Sequence, residues 1–217
     1  MTVPSTREIR ALLTVHDWTE APPLPNRRND LLAGVLVPLC WDDEEWVTWL
    51  TLRPRTLSLH AGEVCFPGGR REDGDADLWD TACREASEEL GLRVKEPLGR
   101  LSSIPLYTSD YRLVPYVAVV EPGLSPQHDE VERVLRTSIL SWLTAPHIDA
   151  LLFDWDGKDV YSPIFQMDGH LTFGGTAHVL LELFQVLAPA FGLQVPPFRT
   201  GRYAWIDGAV RPVVGAL

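Results

Sequence analysis

Gly68-Gly69-Arg70-Arg71-Glu72-Asp73-Gly74-Asp75-Ala76-Asp77 leads directly into Leu78-Trp79-Asp80-Thr81-Ala82-Cys83-Arg84-Glu85-Ala86-Ser87-Glu88-Glu89-Leu90-Gly91-Leu92. The first half reads as an acidic, glycine-rich loop. The second reads as a helix from about Leu78 to Leu90, stopped by Gly91, which tolerates the left-handed cap conformation. On that helix Glu85, Glu88 and Glu89 stand at i, i+3 and i+4, so three carboxylates share one face about a turn apart. Like charges so placed repel, and a helix C-terminus disfavours anions. Pairing of Arg84 with Glu88 offsets part of this cost. A hard cation offsets more, because Mg²⁺ takes oxygen ligands and keeps waters for phosphate chemistry. For the glutamates alone, a solvated acidic helix face is the common alternative. The double glycine, the acidic loop and the Arg-Glu-x-x-Glu-Glu-x-Gly run together favour the metal.

Outward from this segment, the pattern predicts strands on both sides. Leu31 to Leu39 is a continuous apolar run suited to a buried strand, and Trp46 to Leu52 supplies a second. Asp42-Asp43-Glu44-Glu45 lies between them as a polar hairpin loop. Glu63 to Phe66 is a short extended piece. Leu98 to Pro105 and Leu113 to Val120 read as further strands, Ser138 to Leu143 as helical, and Asp159 to Phe165 as extended. Thr176 to Leu187 is a second strong helix, with apolar residues at Val179, Leu180, Leu183, Phe184 and Leu187. The order suggests a mixed sheet covered by helices. Residues 1–30 form a lead-in segment with a short helical stretch around Arg7 to Leu13, residues 31–193 the main domain, and residues 194–217 a Pro-rich tail packed on it.

The 217 residues, 45% hydrophobic and 23% charged, suffice for one full-sized core. The net charge of −11 repels nucleic-acid backbones, so no nucleic-acid partner is expected. A phosphorylated substrate must then be attracted by something other than bulk charge, and a bound metal serves. Cys40, Cys65 and Cys83 are odd in number and lack CxxC spacing, which reads as reduced core thiols in a cytoplasmic protein. Met1 to Arg10 lack the apolar core of a signal peptide. No uncharged run reaches a membrane span, so no membrane partner is expected either.

The segment resembles the Nudix box: Gly, five spacers, Glu, seven spacers, then Arg-Glu-apolar-x-Glu-Glu-x-Gly-apolar. Arg84 to Leu92 matches in full. The first half departs by one extra residue between Gly69 and Arg84. No Glu occupies the first acidic position, where Asp75 is nearest and Ala76 is in register. That departure is itself similar to one subgroup, the coenzyme A diphosphatases, which carry the same extension and an Asp near this position. Leu52-Arg53-Pro54-Arg55-Thr56-Leu57-Ser58-Leu59-His60-Ala61-Gly62-Glu63-Val64-Cys65-Phe66-Pro67-Gly68-Gly69 looks like their signature before the box. Phe173-Gly174-Gly175-Thr176-Ala177 and Asp129-Glu130-Val131 resemble two further segments, so the likeness covers about Leu31 to Leu193. Pro54 and Ser58 depart, standing where the subgroup has Ser and Arg.

The resemblance implies an α/β (α+β) fold, the α/β/α sandwich with a mixed β-sheet, and a metal-dependent pyrophosphohydrolase using Mg²⁺ or Mn²⁺. It makes Glu85 and Glu89 the leading metal ligands, with Glu88 as a further ligand or base and the Gly69 carbonyl as an extra ligand. Arg84 orients the glutamates, and Glu130 or Glu132 reaches in as a base. Arg53, Arg55, His60 and Arg70 are the candidates for substrate phosphates. Apart from the resemblance, His170 and His178 read as structural or exposed residues and Trp79 as core. The implied substrate is a small nucleoside diphosphate derivative, coenzyme A or a relative. ADP-ribose or a dinucleotide, and a non-catalytic binding module, are the alternatives.

Overall fold

The computed structural model describes residues 3–56, 60–155, 157–207 and 209–213. Leu57, Ser58 and Leu59 of the segment before the box lie outside the described residues. In chain order the elements are α1 (Thr6–Val15), β1 (Leu31–Asp42), β2 (Glu45–Leu52), β3 (Val64–Cys65), β4 (Gly68–Arg70), α2 (Leu78–Leu90), β5 (Val94–Arg100), β6 (Ile104–Pro105) and β7 (Tyr111–Val120). There follow β8 (Arg133–Ser138), α3 (Ile139–Leu143), β9 (Ile148–Trp155), β10 (Lys158–Met167), β11 (His170–Thr172) and α4 (Gly174–Leu187). The chain closes with β12 (Phe198–Arg199), β13 (Tyr203–Ile206) and β14 (Ala209–Pro212).

The continuous apolar run of β1 is explained by burial on both faces. Successive side chains of a strand point to opposite sides. Val35, Val37 and Leu39 enter one core with α1, α3 and α4, whereas Leu36 and Cys40 enter another with Ala82, Ala86 and Leu90 of α2. The result is an α/β/α sandwich. Its main sheet is mixed: β1 runs parallel to β7 from Leu31–Tyr111 to Leu39–Val119 and antiparallel to β2 and β4. The order β3-β2-β1-β7-β5 forms its spine, with β8 on β2 and β6 on β7. A second sheet has the order β11-β10-β9-β12, and β13 pairs with β14. Among the described residues, no helix is long and apolar enough to cross a membrane.

The expected strand Leu98 to Pro105 is broken. β5 ends at Arg100 and β6 resumes at Ile104 on another part of β7. The cause is the lead-in: the Ser103 N–H donates to the Thr19 carbonyl (3.0 Å) and Ser103 bridges Glu20, which pulls this turn out of the ladder. α1 opens with a capping box between Ser5 and Glu8 and buries Ile9 and Leu13 beside β5 and α4. The tail supplies three short strands, one of them parallel to β9.

Candidate active site

α2 begins where Asp77 accepts hydrogen bonds from the Trp79 and Asp80 N–H groups (2.9 and 3.0 Å), satisfying two otherwise orphaned donors. It ends at Gly91 in the left-handed conformation (φ 66°). The helix lies hard against β1 at Gly34, where a Cβ would run into the Leu78 carbonyl. This close approach sets the glutamate face over β4. A Cβ on Gly69 would likewise collide with the Glu85 carboxylate. The bare glycine thus leaves room for the Glu85 carboxylate where it now lies.

Arg84 organises the acids. Its Nε and Nη2 donate to Asp75 (3.0 and 3.1 Å), Nη1 to Glu88 (2.9 Å), and Nη2 also to Glu85 and the Arg70 carbonyl (3.1 and 3.2 Å). The guanidinium holds Asp75 far below the usual carboxylate range, helped by the Glu72 N–H and the Thr81 hydroxyl. Asp75 in turn raises the Arg84 pKa. Glu88 is exposed and Glu85 half-buried; burial raises the Glu85 pKa despite Arg84.

Glu89 differs from both. It is 3% exposed, and among the described residues its Oε2 has no hydrogen-bond partner. Burial first, and then the neighbouring Glu85 charge, push its pKa up to about 8. An ionised carboxylate so buried is costly without a compensating charge.

Glu85 and Glu89 open onto a cavity of about 780 Å³, which also takes in Gly69, Arg53, His60, Arg70 and Glu130. The loop after β7 delivers Glu130. Its Ser125 and Gln127 N–H groups donate to the Leu90 and Glu89 carbonyls (2.8 and 2.9 Å), tying the loop to the end of α2. His60 adopts a left-handed conformation (φ 55°) and pairs with Glu63 (2.9 Å), which raises its pKa. The sequence-predicted residues are thus largely brought together, with three exceptions. Arg55 is exposed and does not line the cavity, nor does Glu132, whose N–H donates to the Leu52 carbonyl. Glu88 reaches Arg84 rather than the cavity wall. His178 contacts Ser162 from α4 (3.3 Å) and also lies elsewhere.

The acids are not gathered about one point. Among the described residues, no three His, Cys, Asp or Glu side chains stand in a metal-holding arrangement. Glu85 and Glu88 are instead both hydrogen-bonded to Arg84.

Sequence reasoning missed Glu63, Tyr107 and Asn29. Glu63 and Tyr107 line the cavity. Asn29 is 2% exposed and its Nδ2 donates to the Leu106, Ser109 and Tyr111 carbonyls (2.9, 3.1 and 3.0 Å), holding the loop that carries Tyr107. The His60-x-x-Glu63 spacing was a readable signal for the first. The three carbonyls that Asn29 Nδ2 reaches are about 80 residues away, beyond any local signal, although its Oδ1 accepts from the nearby Leu24 N–H (2.9 Å).

A family model described as the NUDIX domain matches residues 30–162. The chain is 35% identical over 186 residues to the mitochondrial coenzyme A diphosphatase NUDT8 of Mus musculus, covering 81% of this chain and 88% of that protein. The Homo sapiens protein of the same name is 33% identical, over 86% of this chain and 81% of its own length. A Photorhabdus laumondii protein named as the uncharacterized Nudix hydrolase NudL is 32% identical, over 76% of this chain and 91% of the relative.

Proposed function

The chain belongs to the Nudix family of pyrophosphohydrolases, and on that premise we propose that it hydrolyses the diphosphate linkage of coenzyme A or a closely related nucleoside derivative, aided by Mg²⁺ or Mn²⁺. The observation that carries this reading is Glu89: a buried carboxylate with an oxygen unpartnered among the described residues, beside Glu85, on a cavity large enough for such a ligand. The donor set fits a hard divalent cation, since it is all oxygen and carries excess negative charge. Glu85 and Glu89 would hold it, with the Gly69 carbonyl as a further ligand; Glu88, paired with Arg84 outside the cavity, would join only by leaving that partner. Holding it requires Glu85 to share or release its bond to Arg84.

When bound, the cation supplies charge neutralisation on the diphosphate and acidifies water for attack. The protein's own groups do the remainder. Arg53 and Arg70 bind the substrate phosphates, and His60, its charged form favoured by Glu63, adds a third positive group. Arg84 keeps the glutamates oriented. Water adds to one phosphorus, the bridging P–O bond breaks, and the proton lost by the water passes to Glu130, the carboxylate that the loop after β7 brings to the cavity. From coenzyme A the products are an adenosine bisphosphate and phosphopantetheine. The three free cysteines suit a reducing compartment such as the cytoplasm.

The names of the mouse and human relatives support coenzyme A as the substrate. A second reading, ADP-ribose or a dinucleotide, is favoured by Ser58 standing where the subgroup carries Arg. Turnover of coenzyme A, dephospho-coenzyme A and ADP-ribose, with products identified by mass, separates the two. Preference for coenzyme A supports the first reading and preference for ADP-ribose the second. Inertness toward all three, with either metal, contradicts both and leaves a binding module.

A further inference from the structure

β9 and β10 form a hairpin whose outer half carries apolar side chains on both faces. Side chains alternate along a strand, and residues paired across the ladder share a face. Leu152 and Tyr161 are such a pair, and Phe153 and Val160 form the next one, on the opposite face. Phe198 of β12 pairs with Ile148 and so shares the face of Leu152. Its ring stacks on Tyr161, with centroids 5.3 Å apart and planes 14° from parallel, and Ala150, between them in the ladder, is buried. All five large side chains are nonetheless between 37% and 47% exposed. On the other face the tail hairpin β13–β14 covers Leu151 and Ile164 with Tyr203 and Val210, and leaves Phe153 and Val160 open.

The outer edge of β9 also lacks a partner over most of its length. β12 pairs with it only at Ile148 and Asp149, and among the described residues no other strand continues that ladder toward the tip. Edge strands are ordinarily guarded by lysine, proline or a bulge. β9, Ile148-Asp149-Ala150-Leu151-Leu152-Phe153-Asp154-Trp155, has no lysine or proline, and its pairing with β10 runs without a register shift. Its charges lie at the two ends. At the tip Asp154 and Asp159 stand directly opposite each other, a like-charge pair that disfavours the hairpin. At the base Arg199 and Arg202 both donate to Asp149 (2.7 and 3.1 Å), two cations on one carboxylate.

We propose that this hairpin joins two copies of the chain, the free edge of one β9 pairing antiparallel with that of the other about a two-fold axis. Such an interface uses the same surface twice, so the surface must complement itself. This strand does: antiparallel pairing lays the acidic tip of each copy toward the two arginines at the base of the other, with Leu152 and Phe153 between. The area agrees. Five aromatic and aliphatic side chains exposed to this degree offer on the order of 400 Å² per copy, the size of the largest patch on a typical monomer. Two copies would bury roughly twice that, and the paired backbones and charged ends carry it to about the 1,200 Å² where specific interfaces begin. Pairing also adds strands to a two-stranded ribbon that is marginal by itself.

The test is analytical ultracentrifugation of the full chain across micromolar concentrations, for the wild type, Leu152→Arg and Asp159→Lys, with thermal unfolding of each. The wild type should sediment at twice the chain mass. Leu152→Arg sets a charge in the apolar middle of both copies and should raise the dimer dissociation constant by about tenfold or more. Asp159→Lys is the sharper variant. It turns the like-charge pair with Asp154 into an opposite-charge pair, so each copy should melt no lower than the wild type. The same new cation faces the arginines of the second copy, so the dimer should weaken by about tenfold. A general loss of structure would move both readouts the same way. A wild type that stays monomeric at tens of micromolar would overturn the proposal. So would a dimer that both variants leave intact, since it must then form through another surface. Should Leu152→Arg fail to fold, Asp159→Lys decides alone. Neither residue lines the cavity, so the result does not depend on the substrate.

Discussion

Asp75 and Arg84 meet as a two-pronged ion pair, Nε to Oδ1 at 3.0 Å and Nη2 to Oδ2 at 3.1 Å. This contact brings the acidic loop onto the middle of α2, nine residues on. Asp75 thereby sits against the arginine that steadies Glu85 and Glu88, although the box has no glutamate at its first acidic position. Its carboxylate is further fixed by the Thr81 hydroxyl (2.9 Å) and the Glu72 N–H (3.0 Å). Asp75→Asn should keep the size but lose the charge, leaving Arg84 free to pull harder on Glu85. The expected outcome is a loss of about 10- to 100-fold in activity, typical when a partner behind a ligand is removed. Steady-state kinetics across metal concentrations measures it, and unchanged kinetics would show that Asp75 only shapes the loop.

Gly69→Ala tests the contact between β4 and α2. The new methyl group would meet the Glu85 carboxylate and force it aside. Metal affinity, read by titration with Mn²⁺, should fall by at least about tenfold. The melting temperature should change little, because Gly69 lies on the cavity rather than in either core.

Glu89 ties function to a stability cost. Its pKa is raised to about 8, above that of an unfolded glutamate, so folding favours the protonated form. The stability associated with that proton is present at low pH and is lost progressively as pH rises toward 8. Metal-free protein should therefore melt at a lower temperature at pH 8 than Glu89→Gln does, by on the order of 5 °C. The two should converge near pH 5. Thermal unfolding in chelator checks this, and parallel curves at all pH values would contradict it.

Asn29→Ala removes an amide whose two N–H hydrogens are shared among three loop carbonyls and whose Oδ1 accepts from the Leu24 N–H. The cost should be about 2–3 kcal/mol in denaturant unfolding. KM should rise more than kcat falls, because the loop bearing Tyr107 lines the cavity but carries none of the glutamates. A selective fall in kcat would argue that the loop acts on the chemistry.

What could be read from the sequence was what is local. Asp77, the apolar spacing and Gly91 define α2 within a few residues of one another, so its bounds and its glutamate face were legible. β1 and β2 were equally legible, since a strand buried on both faces carries a continuous apolar run. Their turn was found as a polar loop, but its tightness was not: Asp43 and Glu44 both take positive φ (48° and 63°), a conformation usually left to Asn and Gly. The break between β5 and β6 was invisible because Thr19 and Glu20 cause it from far along the chain. The same holds for the clamp by Asn29 and for the packing of the Trp205 ring on Tyr107 and Phe173. Each depends on partners that no sequence window contains. Likewise, the pattern of glutamates indicated a shared face but not that Glu89 alone would be deeply buried.

The most direct test is hydrolysis of coenzyme A by the wild type and by Glu89→Gln, with Mg²⁺ or Mn²⁺ and with chelator. Turnover that requires the metal and falls by at least about a thousandfold in Glu89→Gln, while the variant remains folded, is the predicted result. Metal-independent turnover, or a variant as active as the wild type, would contradict the assignment of this carboxylate face as the metal-dependent centre.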